Sequence, residues 1–189
     1  MTMMTCPVCG KKTLRTILEE KELPYFGKCL IVTSICDNCG YKFNDVFTIE
    51  VKEPKGYWLK VQEEEDLFAK IIRGSNGTIE IKEIGVKIEP GPNSRSFIKN
   101  VEGMLNEIED VLKGQLKVLS GKRKLNVEKL LKKIKKMKDA EIKFTISIKD
   151  PTGVSKIIHE SKPERVFSRR LRKNEIKNLK TSVFIFDKK

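Results

Sequence analysis

Histidine is almost absent from this chain: His159 is the only one in 189 residues. A metal site of two histidines and one carboxylate cannot be assembled from it, and His159 itself reads as a surface strand residue rather than a general base. Neither a Walker-type glycine loop nor a Gly-x-Ser-x-Gly elbow occurs. With no acid–base constellation in view, the sequence argues against an enzyme. No apolar run reaches about 18 residues, so no spanning helix is expected and no membrane partner. The opening "MTMMTCPVCG" lacks a basic stretch leading into an apolar one, which predicts no signal peptide. A soluble, cytoplasmic protein is the expectation.

What the chain does have is positive charge, unevenly spread. The net charge is +13. From Leu112 to Lys138 there are eleven Lys/Arg against one Glu, and from Glu160 to the end ten Lys/Arg against four acids. The remainder is slightly acidic, with "QEEED" at 62–66. Such clustering fits an anionic partner, RNA or an acidic protein surface, contacted through Lys/Arg at 113–138 and 162–180. A solvated lysine-rich face is the plainer reading of the same residues.

Five cysteines in a reducing compartment point to metal ligands or thiols rather than disulfides. Four of them fall into two knuckles, Cys6-x2-Cys9 and Cys36-x2-Cys39, each followed by glycine. Two intervening residues let both sulfurs of a knuckle reach one ion about 2.3 Å away. Gly10 and Gly40 give the backbone freedom to turn amide N–H groups toward thiolate. Between the knuckles, "TLRTILEE" and "KCLIVTSI" have strand character, and a hairpin there would close a zinc ribbon. Four thiolates complete a tetrahedral shell around Zn2+ with no open position, so the ion is expected to stabilise the fold rather than react. Cys29 is left over and reads as a buried strand thiol.

Alternating apolar residues and Gly/Pro punctuation predict strands at 44–51, 56–62, 77–91 and, around a Pro-Thr-Gly turn, within 141–160. "EEEDLFAKIIRGS" reads as a short strand or a turn of helix, and "TSVFIFD" as a last strand. Apolar residues from Phe97 to Leu119 at steps of three and four predict a helix whose acids lie early and lysines late. Asn126 reads as the N-cap of a second helix burying Val127, Leu130, Leu131, Ile134 and Met137. The pattern is thus mainly β with an inserted basic helical hairpin at about 97–138.

Several stretches taken together resemble the ZPR zinc-finger protein family in its single-module archaeal form. They are "CPVCG", "LPYFGKCLIVTSICDNCGYKFNDV", "EDL" at 65–67, "PGPNSRSFIKNVEGML" and "KDPTGVSKI", spanning 6–158. The resemblance implies a four-cysteine zinc ribbon over 1–45 and a double-stranded β-helix, or jelly roll, over 46–165. A basic C-terminal extension would fill 166–189. It further implies a binding or folding-assistance role toward translation elongation factor 1 alpha. The alternative is a nucleic-acid-associated or ribosome-associated zinc ribbon protein using the basic hairpin and tail. The oligomeric state is not indicated.

Outside the cysteines, the candidate partner-binding residues are Tyr25, Phe26, Glu65, Asp66, Gly103, Asp150 and Gly153. Glu65 and Asp66 read either as contacts to a basic partner or as an exposed acidic turn. Asp150 reads as a binding-loop residue or as a turn former capping local N–H groups. Gly103 inside a helix suggests close packing. Phe43 and Phe47 are expected in the joint between ribbon and jelly roll, while Tyr25 and Phe26 fit either the joint or an interface.

Overall fold

The computed structural model describes residues 2–49, 52–91 and 94–181. The first four strands, β1 (Thr2–Met4), β2 (Leu14–Leu23), β3 (Gly27–Cys36) and β4 (Lys42–Thr48), form one antiparallel sheet in that order. β2 and β3 pair over their whole length, from Leu14 opposite Cys36 to Leu23 opposite Gly27. The hairpin register thereby brings the second knuckle beside the chain leaving the first. The sheet runs to Thr48, past the boundary expected at 45.

The rest of the described chain is a double-layered β domain. β5 (Lys55–Val61), β7 (Thr78–Ile81), β8 (Val86–Ile88), β10 (Phe144–Asp150) and β12 (Val166–Arg170) make a five-stranded sheet ordered β12-β5-β10-β7-β8. β6 (Lys70–Arg73), β9 (Phe97–Asn100) and β11 (Lys156–Ile158) make a three-stranded sheet ordered β11-β6-β9. Every pairing is antiparallel. β10 lies between β5 and β7 and buries Phe144, Ile146 and Ile148. One apolar cluster combines these with Leu59 of β5, Ile71 of β6 and Ile157 of β11. Burying each such side chain contributes roughly 1.5–3 kcal/mol. The fold is therefore mainly β, a jelly roll behind a ribbon.

Two helices cover one part of this core. α1 (Val101–Leu116) turns Val101, Met104, Leu105 and Ile108 inward, and α2 (Gly121–Lys138) adds Ile134 and Met137. Both helices start elsewhere than the pattern predicts. Phe97–Asn100 is strand β9, paired with β6, because the Asn100 side chain accepts from the Gly103 N–H at 2.8 Å and caps the helix there. The inward positions of a strand and of the helix after it had merged into one apparent stripe. α2 begins at Gly121 with Ser120 as N-cap, so Asn126 sits within the helix. The outer positions Val111 and Leu125 stay exposed.

Other segments are corrected in smaller ways. Residues 77–91 are two strands separated by a 3-10 turn at Lys82–Ile84, closed by Gly85 in the left-handed region. The "EEEDLF" segment holds a 3-10 turn at Glu64–Phe68, and β6 follows it. The segment read as an extension from 166 begins with β12, which hydrogen-bonds along β5, and continues into the short helix α3 (Lys173–Lys177). The strand read in "TSVFIFD" falls, beyond Thr181, outside the described residues.

The joint between ribbon and jelly roll is a small cluster of Phe26, Cys29, Ile72 and Val154, flanked by Leu23 and Ile158. Phe26 and Cys29 thus fill the joint where the sequence pattern predicts Phe43 and Phe47. Phe47 is 46% exposed instead.

Candidate metal centre

The two knuckles have nearly the same backbone. Cys6 N–H donates to Lys11 O at 2.9 Å and Cys36 N–H to Tyr41 O at 2.8 Å, while Gly10 and Gly40 each donate to the carbonyl of the first cysteine at 3.0 Å. Gly10 and Gly40 have φ of +69° and +72°, which a side chain would strain. These turns aim four sulfurs at one point. The Sγ atoms of Cys6, Cys9, Cys36 and Cys39 lie within 4.8 Å of one another, with Cys6–Cys39 and Cys9–Cys36 both at 3.7 Å. A tetrahedron with metal–sulfur bonds of about 2.3 Å has edges of about 3.8 Å. The donor set and its spacing therefore fit a tetrahedral thiophilic ion.

Electrostatics divide the four thiols. The Thr13 hydroxyl, 3.2 Å from Cys36 Sγ, and the amides of Cys39 and Asn38 bring the Cys36 thiol down to about 6. The Lys11 amide lowers that of Cys9. At Cys39 the Tyr41 amide works in the same direction, but burial and the three neighbouring sulfurs outweigh it and push the thiol up to about 12. A cation at the centre removes this mutual repulsion. With all four sulfurs engaged, no coordination position remains for water or a substrate.

The other predicted site residues scatter. Tyr25 is 38% exposed in the β2–β3 turn. Asp66, read as surface, is fully buried. Its Oδ2 accepts from the Gln62 and Glu63 amides at 2.8 and 3.1 Å, and Arg165 Nη1 lies 2.7 Å from Oδ1 and 2.9 Å from Oδ2. His159, equally read as surface, is 3% exposed, with Nε2 3.1 Å from Asp66 Oδ1. Asp66 is thus an internal clamp between the 62–68 segment and 159–165. Burial would raise its pKa, yet the two amides and Arg165 outweigh burial and hold the carboxyl below the ordinary value. Glu65 is half-buried beside it, bonded to Ser161 and Lys162.

Asp150 is also fully buried, which excludes direct contact with a partner. It accepts from Thr152 N at 2.7 Å, Thr152 Oγ1 at 2.6 Å, Ser155 N at 2.8 Å and the Ser155 hydroxyl. It is the turn former. Gly153, at φ +70°, lies so close to the stretch just before β5 that a Cβ would fall 2.2 Å from Glu53 O. Gly103 is explained by its own cap, since a Cβ would sit 2.8 Å from Asn100 Oδ1. Lys162 and Arg165, read in the sequence among the basic groups of an anion-binding tail, are instead paired with Glu63, Glu65 and Asp66. Nothing local marks them, because their partners lie about a hundred positions earlier.

Comparison with known proteins gives two family matches and several relatives. Family profiles described as the ZPR1 zinc-finger domain and the ZPR1 jelly-roll domain match residues 1–51 and 65–180. A ZPR1-like protein of Pyrococcus horikoshii is 40% identical over 95% of this chain and 81% of its own length. A ZPR1-like protein of Methanocaldococcus jannaschii is 38% identical over 97% and 92%. The zinc finger chaperone zpr1 of Schizosaccharomyces pombe is 28% identical over 80% of this chain, but only 34% of that protein is spanned.

Proposed function

The chain belongs to the ZPR1 zinc-finger family, and from that premise we propose that it is a zinc-bound protein-interaction module acting as a binding or folding-assistance factor for translation elongation factor 1 alpha. The four-sulfur cluster is the seat of Zn2+, whose work is to hold the knuckles so that the ribbon sheet keeps its shape. The role of chaperone is named for the fission-yeast relative. Its extension to this chain, and the choice of elongation factor, are parts of the proposal.

One observation carries the binding reading. On one face of the ribbon sheet Leu18, Val32 and Asp45 stand side by side across β2, β3 and β4, and the next row is Glu20, Leu30 and Phe47. Leu18 is 62% and Phe47 46% exposed. An apolar strip of this kind, edged by Glu20 and Asp45, suits a protein surface with apolar and basic groups. Calorimetry of the zinc-loaded protein with a folded archaeal elongation factor 1 alpha, at about 0.15 M salt where exposed charges beyond ~8 Å are screened, tests it. A complex that Leu18→Glu and Phe47→Glu abolish without loss of zinc supports the reading; no heat and no complex rejects it.

The solvent face of α2 favours a second reading. Lys122, Lys124, Lys129, Lys132 and Lys135 are exposed there and make no ion pair among the described residues. A nucleic-acid partner on this face would bind with a steep salt dependence.

A further inference from the structure

Each sheet of the described chain ends on two strands with one unpaired edge, and β4, with 7 residues, is the longest of these edge strands. Its backbone alternates. Tyr41 O accepts from Cys36 N–H and Ile49 N–H donates to Lys28 O, so the odd-numbered residues of β4 bond to β3. Lys42, Asn44, Val46 and Thr48 therefore turn their amides and carbonyls outward, where no other strand of the described residues pairs. At the middle of this edge the Val46 N–H donates to Asp45 Oδ1 at 2.8 Å, a side chain standing in for an absent strand. Unpaired edges of this kind are templates for a further strand. On the sheet face that carries Ile31 and Val46, a cleft of about 250 Å³ beside β4 has Arg95 and Ser96 as its far wall. That is less than the roughly 300–1,000 Å³ of pockets that enclose a whole ligand, and it suits single side chains. Arg95 is exposed and makes no ion pair among the described residues. On the opposite face an added strand would continue the rows Leu18–Val32–Asp45 and Glu20–Leu30–Phe47.

We propose that β4 is a strand-addition site: an extended segment of a protein partner pairs with its outer edge, placing a basic residue opposite Asp45, an apolar residue opposite Phe47 and, between them, an acidic side chain in the cleft against Arg95. The proposal rests on the protein-binding reading above and names how that face is engaged. Opposite charges set across a strand pair favour this pattern. The same rule disfavours a second copy of this chain as the added strand. Two β4 strands paired antiparallel about Val46 set Asp45 diagonally across from its own copy, and a register shift of two residues sets the two carboxylates directly opposite.

The test is an NMR amide-shift titration of the zinc-loaded full chain with the blocked peptide acetyl-Thr-Val-Glu-Lys-Thr-Val-amide. The comparison probe is the same peptide N-methylated at its glutamate amide, the group that faces Val46 in the antiparallel register. The expected result is saturable shifts at Asn44, Val46 and Thr48, with the N-methylated peptide binding about tenfold or more weakly, the loss expected when a buried backbone group is left unpaired. Val46→Pro removes an outward amide and leaves the bonds to β3 in place, so it should keep its zinc and lose affinity by about the same factor. Arg95→Gln, at an exposed position, should weaken binding about threefold, and Lys132→Gln on α2 should not. Equal binding of the two peptides, unchanged affinity in Val46→Pro, no saturable shifts at millimolar peptide, or a concentration-dependent dimer joined at β4 overturns the proposal. Because no elongation factor takes part in the titration, a factor that binds Val46→Pro as tightly as the original chain rejects strand addition and leaves the partner assignment standing.

Discussion

Residues 2–48 form four strands around a buried cluster of Cys6, Leu14 and Cys36, whereas from Lys55 onward eighteen apolar residues fill one core among the described residues. The same chain thus uses two sources of stability. The jelly roll buries enough apolar surface between its sheets and helices to offset its conformational entropy. The ribbon does not, and leaves Ile17, Leu18 and Phe47 in water. Its order must come from the metal, from the long β2–β3 ladder, and from the joint at Phe26 and Cys29. A sheet held by its metal end is free to expose an apolar face, because folding does not require that face to be covered.

The largest expected effect is on the metal side. A structural zinc site of this type supplies on the order of 10–16 kcal/mol of apparent binding free energy. Cys36→Ser should therefore abolish stoichiometric zinc, measured by metal analysis, and melt β1–β4 while the circular dichroism of the jelly roll persists. If the whole molecule unfolds together, the division drawn here is broken. Next in size, Asp66→Asn removes the carboxylate from a buried cluster with His159 and Arg165 and should cost roughly 3–5 kcal/mol by denaturant titration, without changing zinc content.

Acidification sharpens the same contrast. Asp66 has a folded-state pKa below its unfolded value, so it contributes stability above the unfolded value near ~3.9. That contribution is lost as pH falls through the depressed folded value, and Asp66→Asn should flatten the acid limb of the jelly-roll transition. Zinc release is governed instead by protonation of the thiolates and should occur as a separate step. The smallest effect is expected at the exposed strip: Leu18→Glu should alter stability by no more than about 0.5 kcal/mol while removing partner binding. A large loss of stability there would mean that the face is part of the fold.

The features legible in the sequence are those whose signal is local. The knuckles announce themselves by two-residue spacing and glycine, and α1 by its inward stripe Val101, Met104, Leu105 and Ile108. The hairpin between the knuckles also follows from short-range pattern, and its register comes only from the structure. Alternation reveals that a strand has two faces but not which one meets the neighbouring domain, so the pattern places Phe47 in the joint although it faces solvent, and Phe26, which fits either the joint or an interface, is in the joint. Periodicity carried Phe97 into the helix because β9 runs directly into α1 without a break in the apolar pattern. Asp66 and His159 looked like surface residues because their partners are brought together only by the tertiary fold. Charge composition located the basic hairpin, and the structure adds which of its lysines are free of ion pairs.

Amide hydrogen exchange of the full chain, zinc-loaded and after chelation, tests the central claim most directly. Protection should be lost across β1–β4 on removal of the metal and retained in β5, β7 and β10, where the apolar core holds the strands. Unchanged protection in the ribbon, or equal loss in both regions, would contradict the account that the metal orders one half of the molecule and burial the other.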